Sequence, residues 1–159
     1  MPSVLFVCTA NQFRSPIAAA CFSKLIEREA PDKKWRVASA GTWTESGMRA
    51  AGIASRVADS LGLGRLESHL TRQIEQDLLV QFDLVIVMEA GHKEALYSEF
   101  PSVRQRLYLL SELVDGIPYD IPDPADSGVD PFEVGREICT LLARGEEKIL
   151  QVAESLCSD

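Results

Sequence analysis

The feature that most constrains the fold is a short apolar run near the start of the chain, Ser3–Cys8. A continuous run of this length, rich in β-branched and aromatic residues, is typical of a strand buried on both faces. After a short loop, Ser15 and Pro16 place a capping residue beside a proline at the first helical position, and good helix formers fill residues 17–29. The chain is therefore predicted to open with a central strand, a loop and a helix.

Strands and helices alternate along the rest of the chain. Three more strands are predicted, over residues 35–40, 83–88 and 106–110. Helical patterns occupy residues 47–63, 71–81, 90–100 and 131–156. Asp130 caps the last helix, with Pro131 at its first position, after a loop dense in proline, aspartate and glycine. This order predicts an α/β fold with a four-stranded parallel sheet and helices on both faces.

The loop after the first strand is the best-placed candidate for a binding site. Parallel sheets bind ligands at the carboxyl ends of their strands, and this loop runs from Cys8 to a helix N-terminus. Backbone N–H groups and the positive end of the helix dipole suit a tetrahedral oxyanion, which makes this a phosphate-binding loop. Arg14 would add a bidentate cation, and the same field favours the thiolate form of Cys8.

An anion cradle and a nucleophile therefore coincide. We expect Cys8 to attack a bound phosphate, Arg14 to hold its equatorial oxygens, and Ser15 to stabilise the thiolate as it leaves. A cysteine with an arginine six residues later is weak evidence alone, but a buried strand before it and Ser-Pro after it make the pattern specific. The remaining loop residues are expected to bind substrate: Thr9, Ala10, Asn11, Gln12 and Phe13.

These residues resemble the signature of the low-molecular-weight protein tyrosine phosphatases. In that family an apolar strand ends in Val-Cys, and five loop residues precede Arg-Ser-Pro, as in residues 4–16 here. Later segments are similar too: Ser39-Ala40-Gly41-Thr42, His69 with Arg72-Gln73, Phe82-Asp83 with Met88, and Asp123-Pro124. The resemblance implies a phosphomonoesterase that needs no metal or other cofactor and works through a cysteinyl-phosphate intermediate.

The resemblance also supplies a general acid. A phenolate leaving group needs a proton, and an aspartate in a loop over the pocket can give it and then activate water. Loop composition alone leaves several candidates open: Asp115, Asp120, Asp123, Asp126 and Asp130. The family's late Asp-Pro selects Asp123. Asn11, Ser39 and His69 are expected, as in the family, to support the geometry of the loop.

The sequence departs from the family pattern at three places. Phe13 stands where the family usually has a second cysteine that can trap the nucleophile in a reversible disulfide, so that protection should be missing. Gln12 replaces a small or branched apolar residue that helps set substrate preference. Ala125-Asp126 replaces the aromatic pair that grips the phosphotyrosine ring, and Trp43 is a candidate aromatic wall in its place.

The resulting prediction is a phosphatase for phosphotyrosine in proteins that works by two in-line displacements at phosphorus. Phosphoarginine hydrolysis is a competing function, although relatives with that activity carry threonine at the position of Gln12. Arsenate reduction would need a resolving pair of cysteines near the pocket, and no cysteine lies between Cys21 and Cys139. A module that binds phosphate without turnover is the third competing function.

Composition limits the remaining possibilities. The chain has 159 residues, 46% of them hydrophobic, which favours one domain over residues 1–159. A charge of −8 disfavours nucleic acid as a partner, and apolar runs such as 84–88 are far shorter than the roughly 20 residues of a membrane span. The cysteines form no Cys-x-x-Cys pair, and three of them are expected in the core: Cys21, Cys139 and Cys157. Together with an N-terminus unlike a signal peptide, this predicts a cytoplasmic protein. We expect a monomer or weak dimer with phosphorylated proteins as partners.

Overall fold

The computed structural model describes residues 1–64 and 66–157. Within these ranges the chain forms a parallel four-stranded sheet with strand order β2-β1-β3-β4. The strands are β1 (Ser3–Cys8), β2 (Arg36–Gly41), β3 (Leu84–Val87) and β4 (Leu107–Leu109). The helices are α1 (Arg14–Glu29), α2 (Gly52–Ser60), α3 (Gln76–Leu79), α4 (Ala90–Glu99), α5 (Leu110–Asp115), α6 (Pro124–Ser127) and α7 (Pro131–Cys157), with 3₁₀ turns at Leu66–Ser68 and Pro101–Arg106.

The apolar run of β1 is buried on both faces because helices cover both sides of the sheet. Val4, Phe6 and Cys8 point into one hydrophobic core, which α1, α2 and α7 complete. Leu5 and Val7 point into a second core, which α3 and α4 complete. This alternation follows from the period of two in a strand and explains why none of these side chains is polar. The predicted fold class is confirmed.

The carboxyl end of β1 meets the neighbouring strand at a close approach of two backbones. Gly41 is the register partner of Cys8, and a Cβ at Gly41 would lie only 2.5 Å from the carbonyl oxygen of Thr9. Gly41 also exchanges hydrogen bonds with the segment that follows the first 3₁₀ turn, since its N–H donates to Arg72 O and its carbonyl accepts from Ile74 N. Only glycine leaves room for the phosphate-binding loop beside this pairing.

Two predicted helices are wrong over part of their length. The helix predicted for residues 47–63 is α2 alone, because the backbone before it pairs with a distant segment: Thr71 N donates to Met48 O at 2.7 Å, and Arg49 bridges Leu70. Of the helix predicted for 71–81, only α3 forms, because the backbone of residues 71–74 makes long-range hydrogen bonds to Met48 and Gly41 instead. Alanine-rich helix propensity is a weak preference that tertiary hydrogen bonds override.

Smaller differences concern where helices begin. Helix α1 begins at Arg14, so Ser15 lies inside the helix, and Phe13 occupies the N-cap position without a side-chain hydrogen bond. The predicted cap of the last helix is confirmed, since Asp130 Oδ1 accepts from Phe132 N at 3.0 Å. Across the described ranges, no helix has both the length and the apolar character that crossing a membrane requires.

Candidate active site

The phosphate-binding loop, residues 9–13, is held in shape by one buried asparagine. Asn11 has a φ of 58°, in the left-handed region that asparagine adopts more readily than most residues. Its Nδ2 donates to Ser15 Oγ at 2.8 Å and to Ser39 Oγ at 2.9 Å. Its Oδ1 accepts from Arg72 N at 3.0 Å, and its carbonyl lies 2.8 Å from His69 Nε2. A strained residue persists only when its surroundings fix it in this way.

The predicted supporting residues Ser39 and His69 therefore both contact Asn11. Because the carbonyl of Asn11 can only accept, His69 Nε2 must carry the hydrogen in this contact. The third predicted supporting residue, Trp43, lies elsewhere: its backbone N–H donates to Thr9 O at 3.0 Å, but its side chain is 84% exposed and does not line the cavity described below. The Trp43 ring is exposed outside this cavity, so its role as an aromatic wall stays a prediction.

Cys8 closes β1 with its thiol beside the first turn of α1. Its side chain is 2% exposed, and Sγ lies 3.0 Å from Ser15 Oγ. Ser15 Oγ accepts from Asn11 Nδ2, so the hydroxyl hydrogen remains free to point at Cys8 Sγ or, at 3.3 Å, at Ala40 O. This chain of donors from amide to hydroxyl to sulfur can stabilise negative charge on Cys8.

Arg14 brings a buried guanidinium to the same place. It is 2% exposed, and Nη1 donates to Ile121 O at 2.8 Å. Two carboxylates face it, with Glu89 Oε1 3.3 Å from Nη1 and Asp123 Oδ2 3.7 Å from Nη2. Nη2 also lies 3.5 Å from Thr9 Oγ1. A buried charge needs such partners, and their positions fix the plane of the guanidinium.

Asp123 reaches the site from the loop before α6. It is the N-cap of that helix, with Oδ1 accepting from Ala125 N at 3.0 Å while Oδ2 faces Arg14. The rival aspartates have other roles or positions. Hydrogen bonds from Tyr119 and Arg144 hold the pKa of Asp115 below its ordinary value, and Asp120 accepts from Ala90 N at 2.8 Å.

These side chains surround a cavity of about 180 Å³. Cys8, Arg14 and Asp123 line it together, and the loop contributes Ala10 and Gln12. Thr9, Asn11 and Ser15 do not line it, because their side chains bind other parts of the protein. The remaining wall is apolar and consists of Phe13, Ala51, Ile53, Pro124, Ala125 and Pro131. The site thus combines polar groups with an apolar wall. In the part of the chain described, no three His, Cys, Asp or Glu side chains are arranged to hold a metal.

Two residues at this site were not found from the sequence, Glu89 and His92. Glu89 follows shortly after β3 and caps α4 in a reciprocal box with His92. His92 is 5% exposed, and its Nε2 lies 2.8 Å from Thr9 Oγ1 and 3.1 Å from Glu89 Oε2. Burial, with a smaller effect from Arg14, lowers the pKa of His92 to about 4. The available signal was positional: polar residues just after a central strand lie at the ligand-binding edge.

The fold and this site define a class, the cysteine-dependent phosphatases that bind phosphate on a loop between a strand and a helix. The sequence profile of the Low molecular weight phosphotyrosine protein phosphatase family matches residues 3–157. The chain belongs to this family and is a phosphatase.

The relatives include enzymes named for two different substrates. A protein-arginine-phosphatase of Geobacillus stearothermophilus is 31% identical over 92% of this chain and 95% of its own. The low molecular weight protein-tyrosine-phosphatase Wzb of Salmonella typhi is 34% identical over 93% and 91%. Among solved structures, a cysteine-to-serine mutant of the YwlE arginine phosphatase with a phosphorylated active-site serine superposes with a TM-score of 0.84 at 29% identity, covering 97% and 99%.

The lowered pKa of His92 predicts a pH-dependent stability. The unfolded chain takes up a proton on this residue near pH 6.5, whereas the folded protein resists it down to about pH 4. Acid therefore favours the unfolded state, and the free energy of unfolding should fall by about 3 kcal/mol from this group as the pH drops from 7 to 4. Urea unfolding of the wild type and of His92→Gln across that range measures it. The same dependence of the free energy of unfolding on pH in both proteins would contradict the prediction.

Proposed function

We propose that the protein hydrolyses phosphotyrosine in other proteins, with Cys8 as the nucleophile. The observation that carries the proposal is the meeting of Cys8, Arg14 and Asp123 in one small cavity, with Cys8 Sγ 3.0 Å from the Ser15 hydroxyl. A nucleophile, a phosphate-binding cation and a proton donor are the three groups that a phosphoester cleavage of this type needs.

In the first step the thiolate of Cys8 attacks phosphorus in line with the leaving oxygen. The S–P bond forms as the P–O bond breaks, and Asp123 gives its proton to the departing phenolate. Arg14 and the backbone N–H groups of residues 9–13 hold the equatorial oxygens, where charge is spread in the transition state. Asp123 Oδ2, 3.7 Å from Arg14, lies near enough to reach a leaving group on that phosphate.

In the second step water hydrolyses the phosphocysteine. Asp123, now a carboxylate, takes a proton from the water as its oxygen attacks phosphorus, and the S–P bond breaks with its electron pair on sulfur. The Ser15 hydroxyl, already polarised by Asn11, donates a hydrogen bond to the returning thiolate. Inorganic phosphate leaves, and both Cys8 and Asp123 are restored.

The lining of the cavity supports phosphotyrosine over phosphoarginine. Arg14 and Asp123 are the charged residues that line it, and most of the other lining residues are aliphatic groups and Phe13. An apolar wall suits a phenyl ring, whereas a guanidinium is a strongly hydrogen-bonding cation that few of these lining groups could pair with. Asp123 and the Gln12 amide are the lining groups that could accept hydrogen bonds from a guanidinium, so phosphoarginine stays as the competing substrate.

Arsenate reduction and phosphate binding without turnover have less support. Arsenate reduction needs thiols that can reach Cys8, and Cys21 on α1 and Cys139 on α7 line a different cavity. A module that only binds phosphate would not need a proton donor such as Asp123 beside the bound phosphate. The four free cysteines suit a reducing compartment, so we place the protein in the cytoplasm.

The test is a pair of peptides of one sequence that carry phosphotyrosine or phosphoarginine at the same position, with phosphoserine as a third. In chelator-treated buffer, kcat/KM for phosphotyrosine should exceed the other two by about tenfold or more, the preference that one lost set of polar partners produces. A higher kcat/KM for phosphoarginine than for phosphotyrosine would show that phosphoarginine is the substrate. Absence of phosphate release from all three peptides would show that the protein is not a phosphatase for phosphorylated proteins.

A further inference from the structure

Four side chains join the ends of β1 and β3 in a closed ring beside the phosphate-binding loop. Arg14 Nη1 lies 3.3 Å from Glu89 Oε1, and Glu89 Oε2 lies 3.1 Å from His92 Nε2. His92 Nε2 in turn lies 2.8 Å from Thr9 Oγ1, which is 3.5 Å from Arg14 Nη2. Each side chain contacts the next, so replacing any one of them changes the contacts that hold the guanidinium of Arg14.

The hydrogen bonds define the protonation of His92. Its Nδ1 lies 3.2 Å from the backbone nitrogen of Glu89, which can only donate, so Nδ1 is an acceptor and carries no hydrogen. The hydrogen of the neutral ring is therefore on Nε2, facing Thr9 Oγ1 and Glu89 Oε2. A charged ring would have to place a second hydrogen against the N–H of Glu89. Arg14 also opposes the charge, whereas Asp120 and Asp123 favour it more weakly than burial disfavours it.

We propose that neutral His92 is a positioning residue for phosphate binding, which acts through Thr9 and Glu89 to fix the guanidinium of Arg14. The role rests on the proposed function of this site and adds a residue that does not touch the substrate, since His92 does not line the cavity. Nothing in the sequence motif identifies it.

The physical basis is the freedom that Arg14 would otherwise have. A long side chain can swing its guanidinium between several acceptors, and bidentate binding of phosphate needs one plane. Glu89 holds Nη1, and His92 holds Glu89 Oε2 and Thr9 at the same time. The contact from Nη2 to Thr9 is long, at 3.5 Å, so Nη2 can turn to a phosphate oxygen without losing a strong bond.

Equilibrium binding of inorganic phosphate tests the proposal without relying on turnover. His92→Leu and Thr9→Val each remove one end of the 2.8 Å contact, and each should weaken phosphate binding about tenfold, the loss expected for a hydrogen bond that orients a charged group. His92→Gln keeps an N–H donor and Thr9→Ser keeps the hydroxyl, so both should retain most of the affinity. The exposed Glu94 on the same helix provides the control variant Glu94→Gln, which should bind as the wild type does.

The double variant separates positioning from unrelated damage. If His92 acts through Thr9, His92→Leu with Thr9→Val should weaken phosphate binding by clearly less than the product of the two single losses, because their shared contact is lost only once. Losses that multiply, or single variants that bind phosphate normally, would overturn the proposal. If His92→Leu does not fold, Thr9→Val, Thr9→Ser and His92→Gln still decide it.

A nuclear magnetic resonance measurement tests the ring directly. The protein has two histidines, so the imidazole ¹⁵N signals of His92 can be assigned by comparison with His92→Gln. The expected spectrum at pH 6 shows a bare Nδ1 and a protonated Nε2. A charged ring, or a hydrogen on Nδ1, would overturn the assignment. Because binding and tautomer are read without substrate, failure of this proposal is distinguishable from failure of the proposed hydrolysis.

Discussion

Cys8→Ser should abolish turnover while leaving the fold and the binding of phosphate intact. A serine hydroxyl is ionised far less readily than a thiol, so the nucleophile is lost and kcat should fall by about 10⁴-fold or more. Serine is nearly isosteric with cysteine, and Cys8 is 2% exposed in a closed site, so the change should be tolerated structurally. Hydrolysis of para-nitrophenyl phosphate, followed by acid quench to trap phosphate on the protein, measures both the rate and the intermediate.

A second buried cysteine provides the matched control. Cys21 is 7% exposed on α1 and does not line the cavity, so Cys21→Ser makes the same chemical change away from the phosphate. It should keep turnover within a few-fold of the wild type. Residual activity of Cys8→Ser above about 1% of wild type, or phosphate trapped on that variant at a residue other than position 8, would remove Cys8 from the role of nucleophile.

The parts of this site that local sequence determines could be predicted. The strand that ends at Cys8 has a continuous apolar pattern, and Arg14 and Ser15 follow within seven residues, so the strand, loop and helix lie in one short segment. Asp123 lies more than a hundred residues away, and only resemblance to a family selects it, since five aspartates between residues 115 and 130 are candidates. Its contact with Arg14 at 3.7 Å is a property of the folded chain.

The parts that depend on strand order could not be predicted. Glu89 and His92 reach the phosphate-binding loop because β3 lies next to β1, an order that no local pattern in the sequence specifies. Residues 47–51 and 71–75 have a composition that favours helices, yet Thr71 pairs with Gly47 and Met48, and Gly41 pairs with Arg72 and Ile74. Long-range hydrogen bonds outweigh helix propensities of less than about 1 kcal/mol per residue. Composition likewise does not say which way the loop side chain of Trp43 faces, and in the folded chain its ring is exposed.

Asp123→Asn should slow poor leaving groups far more than good ones. If Asp123 protonates the leaving oxygen, its loss should cost about 10² to 10³-fold in kcat/KM for phenyl phosphate and less than about tenfold for an aryl phosphate whose phenol is strongly acidic, because an acidic phenol leaves without a proton. Asparagine is chosen because its side-chain oxygen can still accept from Ala125 N, which preserves the cap of α6. A series of substituted phenyl phosphates measures the dependence on leaving group.

The series also separates proton donation from an effect on Arg14. Asp123 Oδ2 faces the guanidinium at 3.7 Å, so its replacement also removes a charge beside the phosphate-binding cation. That change acts on the phosphoryl oxygens, which all substrates in the series share, and should therefore shift every rate by a similar factor. Asp126→Asn, on the same short helix but outside the cavity, should leave the series unchanged. A uniform loss in Asp123→Asn would make Asp123 a partner of Arg14 and leave the general acid to another group, whereas a loss that grows with the pKa of the phenol assigns the proton to Asp123.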